Sequence, residues 1–160
     1  MPSPPGILLN PSTSQSTPEN EQVIMAEQRA FRVKTEEGSY DLEASVQPIG
    51  RDFLVAIWGG DKPHIGAIAV AQPRPSLKDP ARTSATASVI CLLGHKEDLL
   101  AKSAAETLAA HLNTVVTVTA GIHWDNLSQP VIHKIIRHSQ ILVDRILKEI
   151  TTKPQFRSKE

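Results

Sequence analysis

Apolar and polar residues alternate through "AFRVKT" (30–35) and "YDLEASVQPIG" (40–50), the period-two pattern of strands with one buried face. Glu37 and Gly38 between them predict a tight hairpin. The next run, "RDFLVAIWGG" (51–60), is apolar on both faces. Phe53, Val55 and Ile57 point one way and Leu54, Ala56 and Trp58 the other, which predicts a central strand covered on both sides. "GGDKP" turns the chain. "HIGAIAVAQ" (64–72) returns as a strand whose small residues, Gly66, Ala67, Ala69 and Ala71, admit close packing. "PRPSLKDPART" (73–83) reads as a polar loop, and "SATASVICLLG" (84–94) as another buried strand.

The period then changes. From Lys96 to Leu112, Leu100, Ala104, Leu108 and Leu112 recur every four residues, with Ala101 and Ala105 beside them, so a helix is predicted. Glu97 and Asp98 fall in its first turn, where carboxylates favour the positive end of the helix dipole. Asn113 closes it. "TVVTVTA" (114–120) is a β-branched strand. A last helix starts near Ser128 or Pro130 and runs to about Thr151, with Ile132, Ile135, Ile136, Val143, Ile146 and Ile150 as its apolar stripe. The order is five strands, helix, strand, helix. It predicts an α+β fold, a mainly antiparallel sheet with two helices packed on it. Residues 29–151 would form one domain. Residues 1–28, rich in Pro, Ser, Asn and Gln, read as a disordered leader with Ile7, Leu8 and Leu9 as a short apolar sticker. Residues 152–160 read as a flexible tail.

Composition narrows the function classes. The 160 residues suit one domain with a real core. Lysine plus arginine balances aspartate plus glutamate at 17 each, so no overall field favours nucleic acid or an anionic membrane. The single cysteine, Cys91, excludes a disulfide or cysteine metal site within the chain, and its apolar setting reads as a buried small hydrophobe. No apolar run spans a bilayer and the N-terminus lacks a signal-peptide pattern, so a soluble cytoplasmic protein is expected. His133 and His138 read as surface histidines of the last helix. No nucleophile elbow, Walker loop or dinucleotide motif is present.

Three loops concentrate polar chemistry, each after a strand: "GGDKPHIG" (59–66), "GHKEDLL" (94–100) and "GIHWDN" (121–126). The last two share a design of strand, glycine, histidine, helix. Free backbone N–H groups at a helix start make an anion site, and glycine lets a ligand approach the backbone. If the strand ends share a sheet edge, His64, His95, His123 and Lys96 converge beside an aromatic wall, Trp124. Such a set suits ligand recognition. Each piece also has a plain structural reading. Gly59, Gly60 and Asp61 are ordinary hairpin chemistry, Gly94 a turn before a helix, Trp124 packing, and Asp125 and Asn126 helix caps. His64, His95 and His123 also admit a three-histidine metal site, although their spacing matches no compact metal motif. From the residues alone, a binding module for a small anionic ligand and an enzyme stay open together.

"IGRDFLVAIWGGDKPHIGAIAVA", "SVICLLGHKEDLLAKSAAETLA" and "NTVVTVTAGIHWDN", in this order, resemble the prenylated-flavin chaperone family, which includes the small accessory protein of gallate decarboxylase systems. The likeness covers about residues 45–150. It implies a non-catalytic carrier that binds reduced prenylated FMN, or FMN itself, and shields it from oxygen. The carrier would take the cofactor from a flavin prenyltransferase and deliver it to the large subunit of a UbiD-type decarboxylase. The resemblance also implies a proteasome-assembly-chaperone-like fold and a homodimer or higher homo-oligomer; no residue is assigned to a metal under this reading. The residues matching its motifs are Gly59, Gly60, Asp61, His64, Gly94, His95, Lys96, Gly121, His123, Asp125 and Asn126. The alternatives are a small metal-dependent enzyme using His64, His95 and His123, and a pure assembly scaffold whose loops bind protein.

Overall fold

Strands and helices form where the sequence period changes. In the computed structural model, which describes residues 29–156, they are β1 (Phe31–Lys34), β2 (Leu42–Ile49), β3 (Asp52–Gly60), β4 (Ala67–Pro75), β5 (Thr83–Cys91), α1 (Asp98–Leu112), β6 (Val116–His123) and α2 (Gln129–Thr152), then a 3-10 turn, Pro154–Phe156. The expected leader lies outside the described residues. The fold is α+β, with one six-stranded sheet ordered β1-β2-β3-β6-β4-β5. Only β3 and β6 run parallel; the other neighbours are antiparallel. β6 therefore inserts between β3 and β4, which are consecutive in sequence.

Both helices pack on one face of the sheet, α1 over β4, β5 and β6 and α2 over β1 and β2. The core lies between: Leu42, Val46, Val55, Ile57, Val116 and Val118 from the strands meet Leu108, Leu142 and Ile146 from the helices. Ala67, Ala69 and Ala71 on β4 are fully buried facing Ala101, Ala104 and Ala105 on α1. Small side chains on both surfaces let this helix sit close to the sheet. Asn113 ends α1 in the left-handed conformation, with φ 51°.

Several expectations fail for identifiable reasons. β3 is central, but among the described residues it is covered by helices on one face only: Leu54 is 36% exposed, and Ala56 and Trp58 are half-buried, because both helices lie on the other side. β5 is an edge strand rather than a buried one; Ile90 is 65% exposed and Cys91 is exposed, its thiol donating to the His95 carbonyl. The proline-rich loop is shorter than expected, since Pro73–Pro75 continue β4 opposite Thr83–Ala85. This suits proline near a strand end. The β1–β2 connection is not a tight hairpin but spans residues 35–41. His138 is buried, not at the surface, and its Nδ1 lies 2.8 Å from the Tyr40 carbonyl, which ties α2 to that connection. Beyond Thr152 the chain continues into the 3-10 turn Pro154–Phe156. Phe156 packs on Phe31 and Phe53 at ring-centroid distances of 5.7 and 5.9 Å.

The 35–41 connection is built around Asp41. Its Oδ1 accepts hydrogen bonds from the Thr35 hydroxyl and the Glu37 N–H, both at 2.8 Å. Thr35, fully buried, accepts in turn from the Leu42 N–H. Desolvation pushes the Asp41 carboxyl up, but these hydrogen bonds and the nearby Lys34 charge together outweigh it and hold the pKa below the ordinary 3.8. A depressed carboxyl stabilises the fold fully above its unfolded pKa and loses that contribution as pH falls through the folded value. Asp41→Ala is expected to cost about 1–2 kcal/mol at pH 7 through its lost hydrogen bonds. In urea unfolding, the gap between variant and parent should close below pH 3.8. A gap independent of pH would assign the loss to packing instead.

Candidate functional site

The sheet topology brings the three polar loops to one edge. Gly60 at the end of β3 pairs with His123 at the end of β6, and Ala67 at the start of β4 pairs with both Ala120 on β6 and Cys91 at the end of β5. The ends of β5 and β6 are not adjacent; β4 separates them. Their connections still open on the same side, with the 61–66 loop between.

That loop lies tightly against β6. Gly66 N–H donates to the Ala120 carbonyl at 2.9 Å, and Asp61 N–H to the His123 carbonyl at 2.8 Å. The glycines here are required by protein contacts. A Cβ on Gly121 would strike the His64 carbonyl, and one on Gly60, at φ +91°, would strike the His123 carbonyl. A Cβ on Gly59 would press on Leu42 and stand 3.3 Å from the Trp124 ring. Gly94 is different: it has φ +84° with nothing within 4 Å, so it serves the turn itself.

His64 is the hinge of the cluster. Its Nδ1 lies 2.9 Å from the Lys62 carbonyl and its Nε2 lies 3.3 Å from Glu97 Oε1. The His95 ring leans on it at 4.4 Å between centroids, with Nδ1 3.8 Å from Glu97 Oε2. His123 stands further off, 6.2 Å ring to ring from His64. Its Nε2 pairs with Asp125 Oδ1 at 2.9 Å, and Asp125 also accepts from Lys62 at 3.0 Å. Lys62, then His123, hold the Asp125 carboxyl below its usual pKa. The three histidines thus gather at one edge, but the set whose donor atoms converge is His64, His95 and Glu97, all within 4.8 Å of one another.

Glu97 escaped the sequence reading except as a first-turn acid. Its side chain is only 13% exposed. It accepts from the Lys96 N–H at 2.9 Å and the Ile122 N–H at 3.4 Å. Gly66 makes room for it, since a Cβ there would run into the carboxylate. The Glu97 carboxylate thus stands beside the start of α1 without capping it, since among the described residues no side chain accepts from the first N–H groups of the helix. The signal that could have found Glu97 is its place in "GHKED", directly behind a histidine and a lysine. Tyr40 was missed as well: Trp124 packs edge-on against it at 5.2 Å. Asn126 adopts φ +57°, and Ser128 rather than Asn126 is the N-cap of α2. Asp61 is exposed.

Beside this cluster lies an apolar groove of about 590 Å³ between α1 and α2. Leu99, Leu100, Ile122, Ile132, Ile135 and Ile136 line it, and Lys96 and Glu97 stand where it meets the loops. The expected stripe of α2 therefore divides. Val143, Ile146 and Ile150 are buried, while Ile136 is 51% exposed and Ile132 and Ile135 half-buried along the groove. A volume of 590 Å³ lies within the range of small-molecule sites. Among the described residues no helix is long and apolar enough to cross a membrane.

Protein LpdD of Lactiplantibacillus plantarum (strain ATCC BAA-793 / NCIMB 8826 / WCFS1) is 30% identical over 98 residues, covering 59% of this chain and 66% of that protein. A solved structure described as a novel chaperone complex for yeast 20S proteasome assembly covers 81% of this chain and 98% of its own, at 12% identity and a TM-score of 0.49. Residues 36–151, well over half of the chain, match the prenylated flavin chaperone LpdD-like domain, a family of non-catalytic accessory proteins, and the chain belongs to that family.

Proposed function

We propose that this protein is a carrier of reduced prenylated FMN, which it protects from oxygen and hands to a UbiD-type decarboxylase. The observation that carries this reading is the apolar groove beside the loop cluster. Leu99 at 75% exposure and Ile136 at 51% sit on facing helices, and among the described residues nothing fills the space between them. Leaving such side chains in water costs roughly 25 cal/mol per Å² of apolar surface that a flat hydrophobic ligand would cover. A prenylated isoalloxazine offers a surface of that kind. Lys96 at the end of the groove supplies a cation for a phosphate, and the Lys62–Asp125–His123 chain supplies polar groups on the same edge. Closure around the ligand excludes bulk water and slows reaction with dissolved oxygen. A carrier must release its cargo, so its affinity should stand below that of the apo-decarboxylase. The family places its members beside a flavin; the cytoplasm and a homo-oligomeric state are the setting we propose for it.

Anaerobic titration of the purified protein with reduced prenylated FMN, followed by absorbance with FMN as control, tests this directly. Saturable binding that slows ligand oxidation when air is admitted is the expected result. Absence of binding, with decarboxylase maturation unaffected, would sink the proposal. Lys96→Ala is expected to weaken binding by roughly tenfold, about 1.4 kcal/mol, through loss of one charge-assisted contact. An unchanged constant would place the phosphate elsewhere.

A further inference from the structure

We propose that His64, His95 and Glu97 form the protein half of a site for a divalent first-row metal ion such as zinc. The Lys62 carbonyl can only accept, so its 2.9 Å contact fixes the proton of His64 on Nδ1. In the neutral ring Nε2 then carries a lone pair. That nitrogen is shielded from solvent, makes no hydrogen bond among the described residues, and lies 3.3 Å from a carboxylate oxygen. A lone pair facing an anion in a dry corner is repulsive unless a cation stands between them.

The surroundings are organised for one. The backbone contact on Nδ1 is the usual support of a metal-bound imidazole, since it sets both tautomer and ring direction. Glu97 is held by two backbone N–H groups, from Lys96 and Ile122, in a space that Gly66 leaves open. His95 turns its Nδ1 to the other oxygen of the same carboxylate at 3.8 Å. Tetrahedral bonds of about 2.0–2.1 Å put donor atoms about 3.3 Å apart; His64 Nε2 stands 3.3 Å from Oε1 and His95 Nδ1 3.8 Å from Oε2 of Glu97, and the three donors, within 4.8 Å of one another, close on an ion by rotation of half-buried side chains. A proton on Nε2 would satisfy His64 alone. A divalent ion would serve both imidazoles, whose ring centroids lie 4.4 Å apart. Two imidazoles and a carboxylate suit zinc, iron, cobalt or manganese. Three protein ligands leave coordination positions for water or another oxygen. Glu97 also lines the groove, so those positions adjoin it. A phosphate oxygen of a groove ligand is a fitting occupant; that extension rests on the flavin reading, whereas the metal site does not.

Flavin-free protein, stripped with a chelator, is titrated with Co²⁺ and then challenged with Zn²⁺. The expected result is one equivalent of Co²⁺ with visible ligand-field absorption, displaced stoichiometrically by Zn²⁺. His95→Ala and Glu97→Gln should each weaken the metal by at least about tenfold, while His111→Ala, at the far end of α1, should not. Nitrogen-15 spectra of the wild-type imidazoles provide a reading that needs no variant: Zn²⁺ should shift Nε2 of His64 and leave Nδ1 protonated. No stoichiometric absorption, metal binding indifferent to His95 and Glu97, or a His64 Nε2 resonance unmoved by Zn²⁺ would each overturn the proposal. None of these readouts involves flavin, so failure here leaves the carrier reading standing and the reverse is equally separable.

Discussion

Gly121→Ala is expected to lose about 3 kcal/mol or more of stability, an effect of the size usually seen when a core is overpacked against backbone. The added methyl would occupy the position of the His64 carbonyl, and backbone cannot yield as a flexible side chain would. Relief requires lifting the 61–66 loop from β6. That strains the Gly66 and Asp61 hydrogen bonds to Ala120 and His123 and moves His64 away from Glu97. For a domain of this size the thermal midpoint should fall by roughly 10 °C. Gly94→Ala is the informative contrast. It meets nothing within 4 Å and suffers only its positive φ, so about 1 kcal/mol is expected. Equal midpoints for the two variants would refute the steric account. The result also decides between two reasons for glycine at this edge. If close approach of a ligand were the reason at Gly121, the alanine variant would fold normally and lose only binding.

Period-two and period-four patterns made the order of strands and helices legible, because burial of one face leaves that imprint on every strand and helix. The pattern could not place β6 between β3 and β4, since pairing partners leave no local trace. That insertion decides the rest. It makes β5 an edge, exposing Ile90 and Cys91, and it lays the 61–66 loop over β6, so Gly121 is fixed by His64. The apolar Leu54, Ala56 and Trp58 predict cover on both faces of β3; among the described residues no helix lies on that second face, which leaves Leu54 exposed and Ala56 and Trp58 half-buried. The site was legible as a set of loops and not as a geometry. His64 and His95 do come together, but their third partner is Glu97, because a carboxylate at the start of α1 reaches β6 while His123 turns to Asp125. The groove was hidden for a different reason. Ile132, Ile135 and Ile136 have the spacing of core residues, and only their position on the first turns of α2, facing α1 across a gap, shows that they are not packed like the core.

Ile135→Asp is expected to abolish flavin binding, by at least about 100-fold, or 2.7 kcal/mol, while leaving the fold nearly unchanged. Ile135 is half-buried along the groove and absent from the buried core, so the sheet does not depend on it. In the free protein the new carboxylate stays hydrated. Once a ligand covers the groove it must be desolvated without a partner, which costs several kcal/mol, and it faces the electron-rich ring of a reduced flavin. Both terms act only in the bound state, so affinity falls and the melting midpoint does not. Ile135→Val removes one methylene and should cost no more than about 1 kcal/mol, which separates charge from contact area. Anaerobic titration of the two variants beside wild type, with thermal melts of each, makes the measurement. If Ile135→Asp binds reduced prenylated FMN as tightly as wild type, the groove is not the flavin site. If it binds flavin normally but no longer engages a decarboxylase, the groove between α1 and α2 is instead a docking surface for protein, and the exposed leucines and isoleucines on its walls are the contact residues of that interface.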